Sequence, residues 1–442
     1  MKKYNRKIDI IIPAYNVPDN ILFRCLASIA CQDIVDELEV IIVDDASTEQ
    51  NYEAVSKNFE SILKIRILRC ENNGGPGVAR QYGINHTTNG YLTFIDADDT
   101  FNGAFALKAL RNGIEMNNGL YHTCVGTFDE VHETDIPEGQ GPILMHHEQD
   151  MIWMFGKLYR RSFIDKYNIH FHESSRANED NGFNTLVRLC SSEHEQINFI
   201  PAHVYYWHEN PNSITRVNDC QYSYGSSIRD SFYGYVENMI FAVKEAKKRK
   251  PYNGYITEWA VNCMLNIYEY YIECYARAKE HAATNLEWCK RYYDEVYKDL
   301  EKDISEDILA EQYNDIMRNA YMGDKLAGII PCMGIYEFLD QLRGTCKSLT
   351  TPINCYDSTT STSQDTTSII EVYVPPMNGD SNNSISTADY ERDENLQIYA
   401  TNDKTDDWCA EGKYPAGDIL LNINKPIHLG SISQNLKEPQ FD

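Results

Sequence analysis

From residue 8 to about residue 131, short apolar runs alternate with amphipathic stretches. Ile8–Tyr15, Leu38–Asp45, Lys64–Cys70 and Tyr91–Asp98 are runs of strand length, rich in Ile and Val. Between them, apolar residues recur at helical spacing near 19–32, 51–60, 76–87 and 103–117. Alternation of this kind predicts a parallel sheet with right-handed crossovers. Strands that are apolar almost throughout predict a sheet covered by helices on both faces.

The pattern changes twice further on. Residues 148–220 are mixed, with a turn-rich segment, a helix near 177–192 and a strand around Asn198–Trp207. Residues 221–345 carry long amphipathic stretches full of tyrosine, such as Trp259–Tyr275 and Leu286–Leu300, with Pro251 and Gly254 as a break. From about Leu349 the composition shifts. Ser358–Ser368 is rich in Ser and Thr, and residues 350–442 hold 15 acidic and 5 basic side chains, a balance of −10. Ile369–Pro375 and Ile419–Ile427 nevertheless read as short strands. The expected organisation is an α/β domain over 1–220, a helical region over 221–348, and over 349–442 a linker plus a small β-rich module or a disordered tail.

The charge narrows the function. With 40 basic and 66 acidic residues the chain carries −26, which disfavours nucleic acid and anionic membranes as partners. The 13 cysteines include no CxxC pair and read as reduced thiols of a cytoplasmic protein. Neither a secretory leader nor a transmembrane segment is expected, because Ile8–Ile12 is too short and runs into Pro13.

The chemistry lies at the strand ends. In a parallel α/β sheet, ligands bind beyond the carboxyl ends of the strands. Strand one ends in Pro13-Ala14-Tyr15-Asn16, strand two in Asp44-Asp45-Ala46-Ser47, and the fourth in Asp96-Ala97-Asp98-Asp99. One aromatic ring and five carboxylates therefore share one edge. Such a cluster invites a divalent cation with hard oxygen ligands, Mn²⁺ or Mg²⁺, although Asp44 also suits a helix cap. A loop, Asn72-Asn73-Gly74-Gly75-Pro76-Gly77, precedes a helix that carries Arg80. Its glycines allow close backbone approach, the helix start favours an anion, and Arg80 is one turn in from there.

In order and spacing, IIPAYN, VDDAST, NNGGPGVARQYGI and FIDADD resemble the family 2 glycosyltransferases of the GT-A fold. So do WMFGKLYRRSF (Trp153–Phe163), Asn178-Glu179-Asp180 with Phe183, and YYWHENPNSITR (Tyr205–Arg216). The resemblance covers residues 8–216 and implies an inverting, metal-dependent transfer from a nucleotide-sugar, a UDP-sugar by preference, to a hydroxyl acceptor. It implies that Pro13 and Tyr15 pack on the base, that Asp45 meets its edge, and that Asn73, Gly74, Arg80, Asp96 and Lys157 hold the rest of the donor. Asp98 is then the favoured metal ligand, with Asp96, Asp99 and His208 as further candidates. Asp180 is the general base and Glu179 positions it or the acceptor. Arg160 or Arg161 could accompany Lys157, and Ser213 and Arg216 could contact phosphate. Neither QxxRW nor membrane helices accompany these motifs, so a single addition to a glycan or surface-polymer precursor is expected. The helical region would buttress the acceptor cleft or form a homo-oligomer contact. A glycan-binding module without catalysis, and transfer to a modified DNA base, are the alternative readings.

Overall fold

The computed structural model describes residues 5–345, apart from 133–140, 174–176, 211–223, 250–253, 278–281, 323–325 and 327. The expected C-terminal segment, with its two short strands, and Ser213 and Arg216 lie outside the described residues.

A nine-stranded sheet organises the first half. Strands β1 (Ile8–Ala14), β2 (Leu38–Asp44), β3 (Lys64–Arg69) and β4 (Tyr91–Phe94) run parallel in the order β3-β2-β1-β4. Their crossovers are α1 (Asp19–Ala30), α2 (Glu53–Lys57) and α3 (Pro76–Asn85). The alternation of apolar and amphipathic stretches is thus realised as expected, with shorter bounds. The largest shortening is in β4. Its register with β1 ends at Ile11–Phe94, and Asp96–Asp99 leaves the sheet as a turn closed by Asp99 N–H on the Asp96 carbonyl at 3.0 Å.

Beyond β4 the sheet becomes mixed. It continues through β8 (Lys157–Arg160), β6 (Tyr121–His132) and β9 (Gln196–His208) to the short β5 (Thr100–Phe101), while β7 (Ile143–His147) adds antiparallel to β6. β8 pairs antiparallel with β4 and with β6, and β6 runs parallel to β9. Strand residues alternate between two apolar layers. Ile11, Ile41 and Val43 enter one, and Ile8, Ile10, Ile12, Val40 and Ile42 the other, which α1 and α4 (Ala106–Glu115) cover.

The first layer does not stop at the sheet. It runs through α5 (Arg161–Lys166) and α6 (Glu179–Cys190) into α7 (Tyr224–Arg249), α8 (Gly254–Arg277) and α9 (Ala282–Tyr292). A π-helical turn, Tyr293–Tyr297, leads into α10 (Lys298–Leu300), then α11 (Glu306–Met322) and α12 (Ile335–Arg343). Phe183, Leu186 and Val187 of α6 share one continuous core with Val236, Met239, Ile240 and Val243 of α7. Tyrosine joins this core rather than avoiding it: Tyr268 is fully buried and spends its hydroxyl on the Met333 carbonyl at 2.7 Å.

Glycine sets the spacing between α6 and α7. A Cβ on Gly182 would lie 2.4 Å from Asn238 Oδ1, and one on Gly234 would lie 2.5 Å from the Ala177 carbonyl. Asn238, fully buried, donates to the carbonyls of Ala177 and Gly234, both at 2.9 Å. Asn178, held at φ 57°, donates to the Ser231 carbonyl at 2.9 Å. The helical region therefore grips the residues that lead directly into Glu179 and Asp180. Among the described residues no helix is long and apolar enough to cross a membrane.

Candidate active site

The carboxyl ends of β1 and β2 form one wall. Ala14 is in register with Asp44, so Tyr15 and Asp45 follow side by side. Tyr15 is 49% exposed, an aromatic ring presented to solvent at a strand end, and Pro13 is half-buried beneath the same edge. Two positive-φ residues, Asn16 (φ 51°) and Ala46 (φ 60°), turn the chain out of the strands. Asn16 Oδ1 then accepts from Thr48 N–H at 2.8 Å and Glu49 N–H at 3.0 Å, which latches the two loops together. Asp44 caps no helix. It accepts from Ser47 N–H at 2.7 Å and pairs with Arg69, so it holds the turn after β2.

Asp45 has a definite task. Its two carboxylate oxygens accept from the backbone of Gly74 (2.9 Å) and Gly75 (2.7 Å), and the Asn73 amide donates to its carbonyl at 3.3 Å. The anion that the glycine-rich loop holds is thus this carboxylate. Gly75 sits at φ 88°, where a side chain would be strained.

Arg80 projects from α3 into the interior, 4% exposed, and bridges two carboxylates. One guanidinium nitrogen donates to Asp96 Oδ1 at 2.6 Å and another to Glu179 Oε1 at 2.8 Å. Burial works against its charge, but Asp96, Glu179 and Asp180 together hold it above the ordinary arginine value. The expected phosphate ligand is therefore the joint between the turn after β4 and the start of α6. Gly77 makes room for it: a Cβ there would lie 2.8 Å from Glu179 Cγ.

The four residues expected around a metal part company. Asp96 belongs to Arg80. Asp99, 1% exposed, accepts from Tyr205 O–H at 2.7 Å and His208 N–H at 2.9 Å. Burial, with Asp98 and Asp96 adding to it, pushes its carboxyl well above the usual range. His208 meets Thr100 Oγ1 through Nε2 at 2.9 Å. Asp98 differs: it is half-buried, accepts from the Asn210 amide at 2.7 Å, and is raised by burial and by Asp96. The Arg24 charge lies close enough to pull against that rise. Tyr205, which also accepts from Asp96 N–H at 3.2 Å, and Arg24, which donates to the Asp98 carbonyl at 2.7 Å, fix this turn. From the sequence no role is assigned to Tyr205, Arg24 or Asn210, although Tyr205 and Asn210 both lie inside the quoted YYWHENPNSITR run.

Asp180 opens α6 beside Glu179. Its one hydrogen bond is from Asn181 N–H at 2.8 Å, so it does not cap the helix through the usual later amides. Burial and the Glu179 carboxylate raise it to about 8, against the pull of Arg80. A carboxyl poised near neutrality beside an acidic turn is what proton transfer requires. Asn184, one turn on, donates to the carbonyls of Ile152 (3.1 Å) and Trp153 (2.8 Å). That places half-buried Trp153 next to this end of α6, stacked with Phe155 and Trp207 at ring distances of 5.9 and 6.5 Å.

The basic residues expected on the donor are spent inside the fold. Lys157, 1% exposed, donates to the Phe155 carbonyl at 3.0 Å and pairs with Asp150 at 3.5 Å. Arg160 donates to the carbonyls of Tyr121 and Ile114, and Arg161 to Asp165, Thr87 and the Ile84 carbonyl. Cations this well satisfied brace the β8 region.

Comparison with known proteins bears on the family and the fold. Residues 9–176 match the family described as "Glycosyl transferase family 2". The uncharacterized glycosyltransferase EpsJ of Bacillus subtilis (strain 168) is 29% identical over 224 residues, 48% of this chain and 63% of that protein. The poly(ribitol-phosphate) beta-glucosyltransferase of Bacillus spizizenii is 27% identical over 259 residues, 55% of this chain and 38% of that protein. This chain thus spans less than two thirds of the length of either relative. The crystal structure of S. aureus TarS 1-349 in complex with UDP-GlcNAc shares the fold, with a TM-score of 0.51 at 17% identity over 71% of this chain and 91% of that one.

Proposed function

We propose that this chain, whose residues 9–176 match glycosyltransferase family 2, transfers a sugar from a nucleoside-diphosphate donor to a hydroxyl of a polymeric acceptor, with inversion. The observation that carries this reading is the Arg80 bridge. It ties the acidic turn Asp96–Asp99, the donor side, to Glu179 and Asp180, the acceptor side, through one buried guanidinium. A uridine base fits the exposed Tyr15 ring, which stacks on any planar base, with Pro13 below and Asp45 at the edge. UDP is the favoured nucleotide because a protein of this fold is seen with UDP-GlcNAc. A polyol-phosphate or glycan polymer is the favoured acceptor, since a 27% identical relative is named for poly(ribitol-phosphate). The half-buried Trp153 and Trp207 rings beside α6 suit sugar stacking.

The reaction asks three things of these residues. Asp180 takes the proton of the acceptor hydroxyl as that oxygen bonds to the anomeric carbon from the face opposite the diphosphate. The bond from the anomeric carbon to the diphosphate oxygen breaks, and the nucleoside diphosphate leaves with that electron pair. Arg80 holds Glu179 and Asp96 in place throughout and keeps the cluster of carboxylates from repelling itself apart. The hard oxygen of Asp98 fits a divalent ion, Mn²⁺ or Mg²⁺, with Asp96 as its neighbour; when bound, such an ion offsets charge on the diphosphate. A binding module without catalysis would release no nucleotide, and the net charge of −26 opposes a DNA acceptor. The test is nucleotide release from UDP-, GDP- and CDP-sugars with Mn²⁺, Mg²⁺ or EDTA. Release from one donor, lost in Asp180→Asn, supports the reading; no release and no nucleotide-dependent thermal shift overturns it.

A further inference from the structure

Away from the acidic turn, three side chains from three strands converge on the β6–β7–β9 part of the sheet. Asp129, buried in β6, accepts from or pairs with His146 Nδ1 of β7 at 2.9 Å and His203 Nδ1 of β9 at 3.3 Å. The imidazoles are exposed and stack on each other at a ring distance of 4.3 Å, so both present the same nitrogen to one carboxylate. Their ligand atoms all lie within 4.8 Å of one another, and among the described residues no other three His, Cys, Asp or Glu side chains do so.

The backbone makes this convergence a built feature. His146 is directly opposite Asp129 in the β6–β7 register. His203 is opposite Thr127, two residues along, just before a β-bulge that separates the Thr127–His203 pair from Phe128–Tyr205. A bulge re-aims the side chain next to it, here across the strand towards Asp129.

We propose that Asp129, His146 and His203 form a second metal site, selective for Zn²⁺-class ions and separate from the donor site. Two imidazole nitrogens and one carboxylate oxygen are borderline-soft ligands that favour zinc, cobalt, nickel or copper over magnesium. A tetrahedral zinc with ligands at ~2.0–2.2 Å needs ligand atoms ~3.4 Å apart, a small contraction of the present cluster. Three protein ligands leave the fourth position to water. Binding requires each ring to present a lone pair at Nδ1, so its proton moves to Nε2 without a net change. For His146 the Nε2 side faces Glu148 Oε1, 3.9 Å away, an outer carboxylate of the kind that orients metal-bound histidine. The ion would clip the edge strand β7 to β9, whose far end carries Tyr205 and His208 against Asp99.

The test is calorimetric titration of the full chain, stripped with chelator, using ZnCl₂ and MgCl₂ separately, with thermal unfolding alongside. Wild type should bind one equivalent of Zn²⁺ that His146→Ala and His203→Ala each lose or weaken by more than about 100-fold, since even outer-shell changes cost 10–100-fold. The control His86→Ala, an exposed histidine elsewhere, should keep it, and so should Asp98→Asn. Zn²⁺ should raise Tm in wild type and in neither cluster variant, and Mg²⁺ should not substitute. Equal zinc stoichiometry in wild type and both cluster variants would overturn the proposal, as would zinc binding lost in Asp98→Asn but kept in His203→Ala. Neither result depends on the donor or on transfer.

Discussion

Replacing Asp180 with Asn tests the site at its centre. The amide keeps the shape and the hydrogen bond from Asn181 N–H but cannot take a proton. Removing a positioned general base costs about 10²–10⁴-fold in rate. The wild-type pH profile sharpens this. With the carboxyl raised to about 8 by burial and by Glu179, only about one molecule in eleven carries the base form at pH 7. The kcat/KM of wild type should therefore climb about ninefold from pH 6 to 7 and about fivefold from pH 7 to 8, flatten past pH 9, and show its midpoint near 8. The assay is nucleoside-diphosphate release at sub-saturating acceptor from pH 5.5 to 9.5. Asn at 180 should leave a low rate with no inflection near 8. An inflection that survives in Asp180→Asn, or a wild-type profile flat from pH 6 to 9, would refute the assignment of Asp180 as the base.

Four further outcomes follow from the same geometry. Because the folded carboxyl at 180 binds its proton more tightly than the unfolded one, wild type loses stability as pH rises from about 4 to about 8; Asp180→Asn should show a higher Tm than wild type at pH 8 and a similar one at pH 4. Arg80→Gln strands Glu179 in the interior and should cost about 3–5 kcal/mol in denaturant unfolding, while the activity midpoint moves above that of wild type because Arg80 now pulls it down. Tyr15→Ala should weaken nucleotide binding by about 1–3 kcal/mol in calorimetry with Tm unchanged, because the ring is exposed at the strand end and a planar base would stack on it. Gly182→Ala forces a Cβ into Asn238 and should destabilise by about 1–3 kcal/mol, with loss of transfer exceeding loss of nucleotide affinity, since α6 carries Asp180 and not the base-binding wall.

The parallel half of the fold was legible because its strands are apolar throughout and its helices amphipathic, so period and length both speak. β6 was not. Thr127, Asp129 and Glu130 are buried in it, and polar residues paired inside a sheet erase the hydrophobic pattern that would announce a strand. β8 is four residues long and opens with a buried lysine. At the site, the sequence placed these acidic residues on one edge but could not apportion them. Asp96, Asp98 and Asp99 look alike in one dimension. Only the fold shows that Arg80 claims the first, that Tyr205 and His208 claim the third, and that Asn210 meets the second. Likewise Lys157, Arg160 and Arg161 resemble anion ligands until their partners are seen.

The apolar layer shared by α6 and the helices after it has a consequence for how the chain can be divided. A break near residue 220 would respect the sequence motifs but cut through that layer, baring Phe183, Leu186 and Val187 to water and removing the amide of Asn238 from the Ala177 carbonyl. At ~25 cal/mol per Å² such an exposed flank invites self-association rather than a tidy minimal enzyme. The helical region is in this sense the second half of a mould: exchange it between relatives and the entry to α6 must be recast with it, so grafts intended to alter acceptor choice should carry residues from 177 onward as one piece.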